Sequence, residues 1–217
     1  MQSSRFKECE RRNGDGGDIG FLVACLLDEL FIIELIKNYY VELFCKEEAR
    51  VDMLNRVASI LSATIQDSLL DEMTIRLARL VDSISICNHE TFSLNRFDLF
   101  KEEAANPILY AEKLDTAKSG IRSAFRDIRN QRIAHLQLDI LCNGDKFSYA
   151  KMSKVANALE QCMAFVAEAE SQFGITRKCF PNHEESKEVD LLFDVLDRGY
   201  DQIVPKKWWK RPNQEDH

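Results

Sequence analysis

The sequence predicts an all-α fold, a bundle of roughly four to six helices, and three observations carry that expectation. Its 217 residues include 8 glycines and 4 prolines, too few for the turns of a β-sandwich. Apolar residues recur three and four apart through several long stretches, the period of a helix face. No stretch alternates apolar and polar residues as a half-buried strand does.

Taken in order, residues 1–17 read as a flexible tail ending in Gly14-Asp15-Gly16-Gly17. The cluster follows no strand and lacks the lysine and hydroxyl residue of a phosphate loop. Residues 18–45 predict a first helix that is apolar on most sides, with Phe21, Leu22, Leu26, Leu30, Ile33, Leu35 and Ile36 among its members. Such a helix has to be covered on several faces, and a second copy of the chain is one way to cover it. A second long helix is expected over residues 48–82. It holds no glycine or proline to break it, and two apolar runs mark its faces: Val57, Ile60 and Leu61, then Leu70, Met73, Leu77 and Leu80. Residues 83–92 read as a polar loop. A short helix over 93–105 stops before Asn106-Pro107, because a proline biases its predecessor away from helix.

A fourth helix is expected over residues 114–141, followed by a turn at Cys142-Asn143-Gly144-Asp145. Ser148 opens the next, with Met152, Val155, Leu159, Met163 and Val166 on one face and Gly174 at its C-terminal cap. Ser186 starts a final amphipathic helix carrying Val189, Leu192, Phe193, Leu196 and Tyr200, and Pro205 ends it. The organisation expected is a helical domain over 18–204 between the tail 1–17 and a basic, tryptophan-containing tail over 205–217.

Composition narrows the functions. The formal net charge is -7, so the chain as a whole repels a nucleic-acid backbone and binds one only through a local basic feature. The 7 cysteines are odd in number, scattered and without a Cys-x-x-Cys pair, which reads as small buried hydrophobes in a reducing compartment. Cys87 and His89 have no second pair to complete a metal site, and neither metal nor cofactor is expected. The most apolar stretch, residues 19–27, is cut short by Asp28, Glu29 and Glu34, so no membrane association is expected. With no apolar leader in residues 1–18, the expected location is cytoplasmic.

The basic feature lies in the fourth helix. Arg122, Arg126 and Arg129 are spaced four and three, on one face, with Arg132 a little further round. Guanidinium donates in pairs to phosphate oxygens, although a basic helix face by itself is ordinarily a solvated one paired with neighbours such as Glu112, Asp115 or Asp127. His135 stands six residues after Arg129, about 9 Å along the axis, and an imidazole can take and return a proton near neutrality. Lys206-Lys207-Trp208-Trp209-Lys210-Arg211 is a second place where phosphates could be held and bases stacked; tryptophans docked on the bundle with their lysines in water read equally well.

Arg129-Asn130-Gln131-Arg132-Ile133-Ala134-His135 resembles the pattern of arginine, polar residue, four of any kind, histidine that marks the HEPN superfamily. Tyr40-Val41-Glu42-Leu43-Phe44, and residues 69–82 ending in Arg79-Leu80-Val81-Asp82, are similar to the branch related to the abortive-infection protein AbiU. The resemblance covers roughly residues 18–200. It implies a helical bundle, a two-fold homodimer with both motifs in one cleft, and metal-independent cleavage of RNA that leaves a 2′,3′-cyclic phosphate and a 5′-OH. On this resemblance His135 is the general acid/base, Arg129 steadies the charged phosphorane and Asn130 orients the pair. Arg122, Arg126 and Arg132, outside the motif, are expected to contact the RNA backbone. A toxin or phage-defence effector is the setting implied, with a nucleotidyltransferase-type antitoxin as a conceivable partner. The alternative is a non-catalytic HEPN module that binds RNA, nucleotide or a partner protein. A plain helical adaptor, with Arg129 and His135 structural, is the third reading.

Overall fold

The computed structural model describes residues 17–128, 151–176 and 185–203. The fold is all-α: the described residues form the helices α1 (Gly17–Phe44), α2 (Glu48–Arg79), α3 (Pro107–Ile128), α4 (Met152–Phe173) and α5 (Glu185–Ile203). A 3-10 helix, Leu94–Glu103, and a two-stranded hairpin, β1 (Ser85–Ile86) and β2 (His89–Glu90), lie between α2 and α3. These residues group into two compact units. One holds residues 17–37, 69–128 and 151–176; the other holds residues 38–68 and 185–203.

The larger unit is built on α3 and α4, which pack along each other. Asn106 starts α3, two residues after Ala104 closes the 3-10 helix. Its side chain caps α3 by accepting from Leu109 N at 3.2 Å, and Pro107 fills the first turn, where no backbone donor is needed. The α3 helix therefore begins at Pro107, one turn and more before the expected residue 114. Asn106 N also donates to Gln172 Oε1 at 2.6 Å, so the start of α3 meets the end of α4 and the pair runs antiparallel. At Gly174 the chain leaves α4 in the left-handed region, φ 63°, where glycine carries no Cβ penalty.

Between these helices sits an aromatic cluster. Phe165 of α4 meets Phe97 edge-on at 5.1 Å and Tyr110 at 5.4 Å, all three fully buried. Such pairs add about 0.5–1.5 kcal/mol each beyond the area they bury. The Tyr110 hydroxyl donates to Phe97 O at 3.1 Å, and burial followed by the nearby Asp98 charge pushes its pKa far up. Gly120 of α3 lies against the Gln161 side chain of α4: a Cβ there would stand 1.9 Å from Gln161 Oε1, a buried oxygen with no hydrogen-bond partner among the described residues.

Around this pair, α1 contributes Val23, Leu26, Leu30 and Ile33 to the core, α2 contributes Leu70, Met73 and Leu77, and the turn after it contributes Leu80. Arg76 ties the two together through Glu29 at 2.8 Å. The expected α4 face is turned slightly. Val155, Leu159 and Val166 are buried as expected, Met152 and Met163 only half, and Ala158, Cys162, Phe165 and Ala169 complete it.

The stretch after α2 is more ordered than a polar loop. Ser85 pairs with Glu90 and Ile86 with His89, and the turn residues Cys87 and Asn88 have φ of 50° and 65°. Two successive positive φ values are what a tight hairpin of this hand requires; asparagine adopts them readily and cysteine does not. Ser93 then caps the 3-10 helix by accepting from Asn95 N at 3.1 Å, and Leu94 N donates to Leu80 O at 2.7 Å, fastening it to the end of α2.

In the smaller unit, α2 is bent at Ala58, whose φ of -159° and ψ of 64° are not helical, contrary to the unbroken helix expected. The buried Ser62 explains how the bend is tolerated. Its hydroxyl lies 2.9 Å from Ala58 O and 3.3 Å from Leu54 O, a carbonyl two turns back that a straight helix would keep out of reach. Val57, Ile60 and Leu61 are exposed here, and so is Leu192 of α5, whereas Val189 is buried. Arg50, 9% exposed, is the polar centre of this unit. It donates to Glu42 O and Glu42 Oε2, both at 3.1 Å, and to Asp190, and lies 5.2 Å over the Phe193 ring. Tyr39 donates to Glu188.

The cysteines divide, against the expectation that all are buried. Cys162 is, and burial pushes its thiol up to about 12; Cys45 and Cys87 are exposed and Cys25 is intermediate. Among the described residues, no helix is long and apolar enough to cross a membrane.

Candidate functional site

The α3 helix is the element on which the sequence places the basic face, and its described part ends at Ile128, immediately before the motif. Arg129, Asn130, Arg132 and His135 lie outside the described residues, as does the side chain of Arg126, whose backbone continues α3 one turn beyond Arg122. The residues 206–211 of the tryptophan-containing tail lie outside them too. Arg122 is the one expected RNA contact whose side chain is described.

Two cations stand one turn apart on α3 and have opposite environments. Lys118 is buried, and its Nζ donates to Asp98 Oδ2 at 2.6 Å, while Lys101 takes Asp98 Oδ1 at 2.9 Å. Burial alone would raise the Asp98 pKa; the hydrogen bonds from Lys118 and Lys101 outweigh it and hold the carboxyl below its ordinary range. Lys118 is thereby neutralised, a part of the core rather than of the basic face. Arg122 is exposed, and among the described residues its partner is not Glu112 or Asp115 but the neutral amide of Asn95, whose Oδ1 accepts from the guanidinium at 3.2 Å. Its charge remains open to an anion.

Asn95 carries no signal in the sequence. It stands 27 residues from Arg122, in the first turn of the 3-10 helix, and only folding brings the two together. The same holds for Lys118 and Asp98, 20 residues apart. What the sequence did contain was the stripe itself, because spacings of four and three are local.

The two other stretches that carry the resemblance fall in helices with defined contacts. Within residues 40–44, at the end of α1, the Tyr40 and Phe44 rings meet tilted at 5.5 Å and Glu42 receives Arg50. Within residues 69–82, Leu70, Met73 and Leu77 are core, and Leu80 O receives the 3-10 helix. Both are therefore structural positions in their respective units.

An all-α domain whose third long helix carries exposed arginine and leads into this motif is of the HEPN type. The AbiU2 family of HEPN domains matches residues 19–191, most of the chain, and the chain belongs to that family. No curated protein and no solved structure matches it.

Proposed function

We propose that this protein is a metal-independent endoribonuclease of the HEPN type, cutting RNA to leave 2′,3′-cyclic phosphate ends, and that it acts as a toxin or phage-defence effector. The observation that carries the proposal is the complete motif, Arg129 to His135, in a chain that belongs to the AbiU2 family of HEPN domains. The chemistry asks for little else. The ribose 2′-OH is an internal nucleophile, already held next to its phosphorus, so the protein has only to move a proton and steady developing negative charge. His135 moves the proton, Arg129 steadies the phosphorane and Asn130 orients the two. Arg122, Arg126 and Arg132 contact the RNA backbone. The open charge of Arg122 supports that role, since an arginine already paired with a carboxylate has little to offer a phosphate.

The site would be shared between two copies of the chain in a homodimer, in the cytoplasm, with a nucleotidyltransferase-type antitoxin as a partner that restrains it. The decisive experiment is cleavage of single-stranded RNA in EDTA with analysis of the ends. Wild type yields cyclic phosphates, and His135→Ala lowers the rate by about 10²–10⁴-fold, the ordinary weight of a general acid/base. Undiminished cleavage by the variant, or an absolute need for magnesium, removes the proposal. RNA binding without cyclic-phosphate ends assigns the chain to the non-catalytic HEPN modules instead.

A further inference from the structure

We infer that Asn95 is a positioning residue for the RNA site: it holds the Arg122 guanidinium in place for a backbone phosphate without neutralising it. The inference rests on the nuclease reading above and names a residue that neither the motif nor the basic stripe contains.

The Asn95 amide is held at both ends. Its Nδ2 donates to Asp82 O at 2.8 Å, its Oδ1 accepts from Arg122 at 3.2 Å, and its backbone N donates to the buried Ser93 hydroxyl at 3.1 Å. Leu94 N, one residue earlier, is bonded to Leu80 O at 2.7 Å. The asparagine is thus anchored to the turn that follows α2, where Leu80, Val81 and Asp82 N bond back to Leu77, Ala78 and Arg79 O, and these bonds fix which end of the amide faces the arginine.

An exposed arginine ordinarily samples many rotamers and loses that freedom when it binds, which weakens binding. A partner that restricts it beforehand removes part of the loss. A carboxylate would restrict it more strongly but would also cancel the charge the phosphate needs. Other cations of this unit show that alternative: Arg76 pairs with Glu29 and Glu72, Arg96 with Glu90, and Lys118 with Asp98. Arg122 alone among these four is held by an amide. A guanidinium has five donors, so one bond to Asn95 leaves a pair free for phosphate oxygens.

The test is a double-mutant cycle on the full chain, in a His135→Ala background so that RNA is not consumed. Binding of a fluorescein-labelled single-stranded RNA is followed by anisotropy in EDTA across a salt series. Arg122→Ala is expected to weaken binding by about 10-fold and to flatten the log K against log salt slope by about 0.7, one phosphate contact on a single strand. Asn95→Ala is expected to weaken it by about 2–5-fold, the net weight of one hydrogen bond, and to add nothing once Arg122 is alanine. Asn95→Asp, which keeps the side-chain shape and serves if the alanine variant does not fold, should weaken binding as far as Arg122→Ala does. Undiminished binding by Asn95→Ala, or an equal loss with and without Arg122, overturns the inference while the nuclease reading stands. Failure of the His135→Ala parent to bind RNA at low salt, where wild type also fails to cleave, overturns both.

Discussion

Lys118 is a cation that folding removes from water, and the whole arrangement at Asp98 follows from that. A buried ammonium without a counter-charge is strongly unfavourable, so the Asp98 carboxylate meets it at 2.6 Å, with Lys101 on its other oxygen. Because the folded-state pKa of Asp98 is depressed, its stabilising contribution is present above the unfolded carboxylate value of about 3.9 and is lost as pH falls through the lower folded value. Asp98→Asn is therefore expected to destabilise the protein by about 1–3 kcal/mol at pH 7, less than for a fully buried pair because Asp98 stays 39% exposed. Urea unfolding at pH 7 and pH 3 checks the sign: the gap between variant and wild type should narrow at the acid end. At this scale the sequence was least informative. Lys118 and Arg122 look alike in it, four residues apart on one helix, and only distant partners make one a core residue and the other an open charge.

Helix ends were the most legible feature at the scale of elements. Ser93, Gly174 and the start near residue 48 mark boundaries within a residue or two, because caps are bonds between near neighbours. By contrast, α3 starts seven residues before the expected 114, and α4 starts at Met152, four after the expected Ser148. The bend at Ala58 escaped because Ser62 reads as an ordinary helical polar residue until its hydroxyl is seen reaching Leu54 O. The hairpin at 85–90 escaped because two residues per strand show no alternation. Arg50 has a similarly hidden role, gathering Glu42 and Asp190, the latter 140 residues away. Arg50→Ala is expected to loosen α5 by about 2 kcal/mol, since it removes several charge-assisted bonds and the stacking on Phe193 together. Hydrogen exchange should then quicken by roughly 30-fold in α5 and stay unchanged in α4; equal exchange in both would show that Arg50 does not hold α5.

At the scale of the whole molecule, charge and apolar surface point the same way. In the proposed homodimer, two copies of the basic helix would give a chain of net charge -7 a locally positive surface. Phe31, Ile32, Leu35 and Ile36 of α1 are only half-buried within the chain, surface that a second copy could cover. Light scattering at micromolar concentration is expected to give about twice the 25.1 kDa of the chain. A monomer there would leave each motif to work alone.

Periodicity, caps and one seven-residue motif, all readable along the chain, determined that this protein is helical, where most of its helices end and which superfamily it belongs to. Each is local, set by neighbours within about two turns. The tertiary structure decided which charges are cancelled and which stay open, and which apolar residues are core: Met73 and Leu77 but not Ile60 or Leu61. Those outcomes depend on groups brought together from 20 to 140 residues apart, and burial and pairing are properties of that meeting rather than of either partner.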